Sequence, residues 1–209
     1  MLSARGVLSK LKFMLPEKII FIGILLNIIG YYFYFKNMFF GQTKPNLVSW
    51  FIWMLAPFLG VFFQIKAGAG LSVIPVFIAG FGPFLVLIVS ILRKNGYWKI
   101  TLLDAICGAL SIAALALYIL TKNLATSVIF VILSDGLAAV PTLVKSWRFP
   151  ESETSSIYLT GIFSQIIGLL IIKEWTFPIY SLGIYFIAIN TAIVFCIYGK
   201  KIFKKIVSS

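Results

Sequence analysis

Four polar side chains lie inside long apolar stretches of the sequence, where a polar group is unusual. Asp135 lies near the midpoint of the stretch 124–144, while Asn27, Gln165 and Asn190 lie inside three other stretches. An ionised carboxylate in the middle of a bilayer costs about 2.5–3.5 kcal/mol or more, so a membrane chain usually shelters it against partners or water. We therefore predict that these four residues form a substrate-binding site for a small polar solute.

The same residues also allow a purely structural interpretation. Asn and Gln commonly form hydrogen bonds between membrane helices, each worth about 1 kcal/mol, and for Asn27 and Gln165 alone this interpretation is preferred. Asp135 differs because no Lys or Arg lies at its depth. We expect its carboxyl group to be protonated or exposed to water, and loss of its proton could couple transport to a proton gradient. The aromatic residues expected to supply apolar faces beside these polar groups are Tyr31, Tyr185 and Phe186.

The composition identifies lipid as the solvent of most of the chain. Of 209 residues, 61% are hydrophobic and only 11% are charged, whereas a soluble domain carries about 25% charged residues. The net charge of +12 comes from Lys and Arg dispersed among short connections and tails. Because they form no basic stripe, they indicate membrane topology rather than binding to nucleic acid.

Long apolar windows interrupted by charge, Gly or Pro predict an all-α integral membrane protein with seven transmembrane helices. The basic segment 1–18 precedes them and fits a short helix in the headgroup plane. We interpret the first window as an uncleaved span, since no small-residue cleavage site follows it. The predicted spans are 19–35, 47–65, 72–92, 101–121, 124–144, 156–173 and 177–198.

The basic residues near span ends predict the orientation of the chain. More of them collect on the side that carries the C-terminal tail 199–209, which places that tail in the cytoplasm and the N-terminus outside. The loop 148–154 is expected to be a solvated turn, and Asp104 is expected to be stabilised by interfacial water or Lys99. The aromatic residues expected at the two membrane–water boundaries are Trp50, Trp53, Tyr97, Trp98, Trp147 and Trp175.

The inventory of reactive side chains argues against an enzyme. The chain has no histidine and six acids, so it lacks the usual general base and the usual ligands of a transition metal. Cys107 and Cys196 both lie in apolar stretches and are expected to be packed thiols. We predict no catalytic residue, no metal and no cofactor.

A comparison of the chain with itself at one fixed offset indicates an internal repeat. The offset brings Lys36 onto Lys145 and Ser72 onto Ser181, and spans one to three then overlie spans five to seven. An intervening fourth span allows the two halves to be parallel repeats. The predicted units are repeat 1 at 19–92, a linker helix at 101–121 and repeat 2 at 124–198.

This three-plus-one-plus-three layout resembles the PQ-loop superfamily, which includes the SWEET sugar facilitators and the cystinosin-like amino-acid exporters. The closest local match is the segment 134–153, in which Pro141-Thr142 resembles the family's helix-kinking Pro-Gln. The resemblance implies a hinge at Pro141 and places Asn190 where SWEET-like proteins carry an asparagine facing the substrate. The first repeat has Tyr32-Phe33 and Phe81 at the corresponding positions, so neither feature is duplicated. Further prolines that could act as hinges are Pro57, Pro75 and Pro83.

The sequence thus predicts a small transporter or facilitator that moves a sugar, an amino acid or a vitamin-like solute by alternating access. A non-transporting receptor or assembly protein is the main alternative, and a membrane-embedded lipid enzyme ranks last. The nicotinamide-riboside-type vitamin transporters share the layout, but no tryptophan-rich motif in the middle of a span is identified. The expected partners are the lipid bilayer and the solute, with a homo-oligomer left open. The default location is a prokaryotic plasma membrane.

Overall fold

The computed structural model describes residues 16–93, 98–120 and 123–207. The expected interfacial helix at 1–18 falls almost wholly outside the described residues. Within them the chain forms seven α-helices and no strand. The helices are α1 (Ile20–Phe39), α2 (Leu47–Lys66), α3 (Ile74–Arg93), α4 (Leu102–Ile119), α5 (Leu124–Arg148), α6 (Ser156–Leu170) and α7 (Phe177–Val207).

Each helix overlaps one predicted span, and short 3₁₀ turns lead into three of them. These turns are Glu17–Ile19 before α1, Leu71–Val73 before α3 and Pro150–Ser152 before α6. Two connections need a left-handed residue, because Gly41 and Gly68 have φ values of 71° and 87°. Such values are strained for residues with a side chain, which explains why glycine occupies both positions.

Five of the helices are long and apolar enough to cross a membrane, namely α1, α2, α3, α5 and α7. The sixth, α6, has 15 residues and is only about 22 Å long at 1.5 Å per residue. α4 has 18 residues, of which the apolar stretch Leu102–Ala113 is described in full. The structure therefore supports a helical membrane protein, while the crossing of the bilayer by α4 and α6 stays a prediction.

Large apolar side chains cover the outer faces of the bundle. Phe21, Leu92 and Leu102 are 64%, 75% and 77% exposed, and many other large apolar residues are exposed around the same helices. Contiguous apolar surface on this scale is foreign to a soluble monomer. These faces are suited to contact with the hydrocarbon of a bilayer.

The extensive helix pairs are α1–α6, α2–α3, α2–α5, α4–α5, α5–α7 and α6–α7. Small residues allow the closest approaches, as is common between membrane helices. A Cβ added at Gly30 of α1 would collide with the Thr160 side chain of α6, and one at Gly60 of α2 would lie 2.5 Å from Leu182 of α7. Six helices therefore surround a common interior, and α4 packs outside it against α5 and α2.

Proline occupies two kinds of position in these helices. Pro57, Pro83 and Pro141 lie inside α2, α3 and α5, where each removes one donor from the helical ladder. Pro75 is instead the second residue of α3. The missing N–H costs little in a first turn, so Pro75 does not interrupt its helix.

Candidate functional site

A partly open cleft lies in the interior of the bundle. Its walls come from α1, α2, α3, α5, α6 and α7. All four residues of the predicted substrate site line it: Asn27, Asp135, Gln165 and Asn190. The tertiary structure thus brings side chains from four different helices to one cavity.

Asp135 has one satisfied and one unsatisfied carboxylate oxygen. The Tyr185 hydroxyl of α7 donates to Oδ2 at 2.7 Å, whereas Oδ1 is buried without a hydrogen-bond partner among the described residues. The residue is 2% exposed. The sequence led us to expect a carboxyl that is protonated or exposed to water, and in this conformation neighbouring side chains leave it little exposed. Trp53 of α2 fixes the adjacent backbone by donating from Nε1 to the Asp135 carbonyl at 3.3 Å.

The three amides are held to different degrees. Asn27 donates to the Gly23 carbonyl of its own helix at 3.0 Å, and among the described residues its side chain forms no hydrogen bond to a second helix. Gln165 is 4% exposed and Asn190 is half-buried. Neither of these two amides has a side-chain hydrogen bond within the described part of the chain. Both therefore retain donors and acceptors that a ligand could use.

Aromatic rings form much of the remaining wall. Tyr31 and Phe186 line the cleft as predicted. Tyr185 contributes instead by donating a hydrogen bond to Asp135. Trp50 and Trp53 also line it and are only 1% and 7% exposed. Their predicted place at the membrane boundary is wrong, because both rings face the interior of the bundle. The two tryptophans are spaced i, i+3 and so lie on one helix face, and this spacing was the sequence signal that they share one environment.

The wall also holds buried polar atoms that sequence reasoning missed. Trp50 Nε1 and Ser164 Oγ have no hydrogen-bond partner among the described residues. Both residues line the cleft. Buried polar groups are nearly always hydrogen-bonded in folded proteins, and unpaired ones call for an explanation. Together with Asp135 Oδ1, these atoms give the cleft an unused capacity for hydrogen bonding.

An ion pair lies buried at the end of the bundle where α5 ends and α6 begins. Lys145 pairs with Glu153, and their side chains are 1% and 0% exposed. The Lys145 ammonium also donates to the Lys44 carbonyl at 2.7 Å and lies 5.8 Å from the centre of the Trp98 ring. The loop 148–154 was expected to be solvated, and this expectation is wrong for Glu153 because Lys145 draws its carboxylate inward.

Two loops close over this end of the bundle. The connection between α1 and α2 meets the connection between α5 and α6 through the Lys44 N–H, which donates to the Ser152 carbonyl at 3.0 Å. Thr154 accepts from Asn37 Nδ2 at 3.0 Å and shares a short hydroxyl contact with Thr43. We call the contacts of residues 37–46 with residues 145–154 the loop seal. It joins the first half of the chain to the second half.

The opposite end of the bundle is joined more sparsely. Gln64 of α2 donates to the Ile179 carbonyl of α7 at 2.7 Å, and Pro75 of α3 packs closely on Gly168 of α6. An exposed ion pair links Lys173 and Glu17. Among the described residues, the two halves therefore share a dense polar network at the loop seal and few polar contacts at the other end.

The predicted hinge residue Pro141 is buried in α5, which continues through it to Arg148. Close by, the Ser49 hydroxyl of α2 donates to the Ala138 carbonyl at 2.6 Å, and Thr142 Oγ1 donates to Ser49 Oγ at 3.0 Å. A serine of the neighbouring helix thus stabilises the backbone that a proline weakens.

Asp104 lies outside the cleft and is fully compensated. Its carboxylate accepts from Asn46 Nδ2, from the Thr101 N–H and from the Thr101 hydroxyl. The sequence suggested Lys99 or interfacial water as partners, but the donors found are Asn46 and Thr101, and Asp104 is only 1% exposed. This residue attaches α4 to the start of α2 and provides a buried carboxylate for comparison with Asp135.

The chain matches no protein-family model, no curated protein and no solved structure in comparisons with each.

Proposed function

We propose that this protein is a small membrane transporter that moves a small polar solute through the central cleft by alternating access. The observation that carries the proposal is that Asn27, Asp135, Gln165 and Asn190, on four helices, line one cleft. A solute site in the middle of a helical bundle, formed by the two halves of the chain, is a common solution in secondary transporters.

The pairing of helices supports a two-repeat organisation. Exchanging α1 with α5, α2 with α6 and α3 with α7 converts the α1–α6 contact into the α5–α2 contact, and both are extensive. The same exchange relates α2–α3 to α6–α7 and α1–α3 to α5–α7, all of which are in contact. In this proposal α4 is the linker that makes the two three-helix halves parallel.

Individual hydrogen bonds follow the same exchange. The Ser156 hydroxyl at the start of α6 donates to the Gly30 carbonyl of α1 at 2.8 Å. Near the start of α2, the Ser49 hydroxyl donates to the Ala138 carbonyl of α5 at 2.6 Å. In both halves the second helix thus binds the first helix of the other half. The proposal therefore includes seven membrane crossings, with α4 and α6 among them.

The loop seal supplies the moving part in this proposal. It lies at the end that carries Lys36, Lys44 and Arg148, which the positive-inside bias places in the cytoplasm. In this proposal the formed seal separates the cleft from that side. Rocking of one half against the other, with Pro141 as the flexible point of α5, would break the seal and expose the solute there.

A receptor or assembly protein is the second candidate, and one observation favours it. Asp135 is paired with Tyr185 and Asn27 with its own helix, so part of the polar interior is satisfied without a ligand. Such a protein would keep the bundle rigid and would bind its partner at the surface.

Uptake into liposomes that contain the purified protein separates these candidates. Labelled sugars, amino acids and vitamins form the test panel, and Asn190→Leu is compared with Thr191→Val on the exposed side of the same helix. A transporter accumulates at least one solute, loses about tenfold or more of that uptake in Asn190→Leu and keeps it in Thr191→Val. If liposomes with the protein take up no more of any solute in the panel than protein-free liposomes do, the receptor is the better explanation.

A reversible crosslink tests the role of the loop seal. Thr43→Cys and Thr154→Cys place two thiols at contacting positions, in a background with Cys107 and Cys196 replaced by serine. Oxidation is expected to stop uptake and a reductant to restore it, because the disulfide holds this end closed. Undiminished uptake with the disulfide formed would refute movement at the seal.

A further inference from the structure

Within the described part of the chain, three buried charged side chains are compensated by their neighbours and one is incompletely compensated. Among the described residues, the buried charged side chains are Asp104, Asp135, Lys145 and Glu153. Lys145 and Glu153 neutralise each other, and Asp104 accepts three hydrogen bonds from Asn46 and Thr101.

Asp135 has neither kind of compensation. Its Oδ2 accepts one hydrogen bond from a neutral phenol, and its Oδ1 has no partner within the described residues. A buried carboxylate that has neither a cationic partner nor a full set of hydrogen-bond donors is unfavourable by several kcal/mol. The missing positive charge must come from outside the described chain or the acid must bind a proton.

The surroundings of Asp135 indicate which kind of positive charge fits. It is the only charged residue among the described residues that line the cleft. A Ca²⁺ ion takes about six to eight oxygen ligands, whereas much of this wall is aromatic, including Tyr31, Trp50 and Trp53. Aromatic faces attract organic cations, with about 0.5–2 kcal/mol for each cation–π contact.

We propose that the transported solute is a small organic amine whose ammonium group pairs with Asp135 and whose apolar or aromatic body packs against Trp50 and Trp53. This inference rests on the proposed transport function and assigns the chemical class of its solute. The Gln165 and Asn190 amides, which lack side-chain partners in the described structure, orient the polar part of the amine. A charge-assisted hydrogen bond is about twice as strong as a neutral one, so charge is the main basis of selection.

Thermal unfolding of the purified full chain tests the assignment with three probes of similar size. 2-Phenylethylamine carries a positive charge at neutral pH, 2-phenylethanol is neutral and phenylacetate is negative. A ligand that binds the folded state raises the melting temperature in proportion to the logarithm of its concentration well above its Kd. We expect the amine to bind about tenfold or more tightly than either analogue.

Two matched variants connect that preference to the cleft. Asp135→Asn keeps the shape of the side chain and is expected to weaken binding of the amine about tenfold or more, to the level of the alcohol. Asp104→Asn changes a buried carboxylate outside the cleft and should leave the preference intact. The wild-type series with three probes does not depend on whether either variant folds.

Several results would overturn the proposal without touching the transport function. These are binding of the alcohol as tight as that of the amine, binding of the amine that Asp135→Asn does not weaken, and stabilisation by NaCl alone that Asp135→Asn abolishes. Uptake of a neutral solute into liposomes, with no binding of any amine, would also refute the amine class while supporting transport. Binding of the amine without uptake of that amine, or of any solute in the panel, into liposomes would support the site and refute transport.

Discussion

Replacing Lys145 by methionine leaves the Glu153 carboxylate buried without its cation. Both side chains of this pair are almost fully covered, at 1% and 0% exposure. Removal of one partner from a buried ion pair costs about 3–5 kcal/mol, because the remaining charge is desolvated and unpaired. The variant also lacks the hydrogen bond from Lys145 to the Lys44 carbonyl. We therefore expect a loss of unfolding free energy at the upper end of this range.

The companion variants separate the charge effect from the loss of packing. Glu153→Gln alone should also be destabilising, since it leaves the Lys145 ammonium buried. The double variant Lys145→Met/Glu153→Gln carries neither charge and should recover about 2 kcal/mol or more relative to the sum of the single losses. For a chain of this size, about 3 kcal/mol corresponds to a fall of roughly 6–12 °C in the melting temperature.

Unfolding in a titration with a denaturing detergent measures these free energies. The exposed pair of Glu17 and Lys173 is the internal control, because its side chains are 37% and 61% exposed. Glu17→Gln should cost less than about 1 kcal/mol. A loss under 1 kcal/mol for Lys145→Met, or a double variant whose loss equals the sum of the single losses, would refute the assignment of an energetically coupled pair.

Two further predictions concern helix packing and helix ends. Gly30→Ala should lower the melting temperature of the purified protein, because its Cβ would collide with Thr160, and Thr160→Ala should recover part of the loss if the collision is the cause. Asn46→Ala should lower the free energy of unfolding by more than Asn123→Ala, which removes a cap worth about 1 kcal/mol. The reason is that Asn46 both caps α2 and binds the buried Asp104. Equal losses would contradict a stabilising contact between Asn46 and Asp104.

The sequence specified where the helices lie. α2, α6 and α7 begin at Leu47, Ser156 and Phe177, the residues at which the predicted spans begin. The start of α2 is a local event, because the Asn46 side chain accepts from the Ser49 N–H at 3.1 Å. Composition likewise identified a membrane protein, because the hydrophobic fraction is a property of the chain and needs no knowledge of contacts.

The sequence also selected the polar residues of the cleft. Asn27, Asp135, Gln165 and Asn190 were chosen only for polarity within apolar stretches, and they line one cavity. Their use as a substrate site remains a prediction. The same logic was wrong for Trp50 and Trp53, because a tryptophan near a span end fits both the lipid boundary and the interior of a bundle.

The choice of partners was decided only by the tertiary structure. Lys145 looked like a topology signal and Glu153 like part of a solvated turn, yet they form a buried ion pair that depends on the loop between α1 and α2. Asp135 meets Tyr185 fifty residues along the chain. Local patterns determine which residues are helical and which stretches are apolar, whereas the burial of a charge depends on which distant helix packs against it, and a single sequence carries no direct record of that packing.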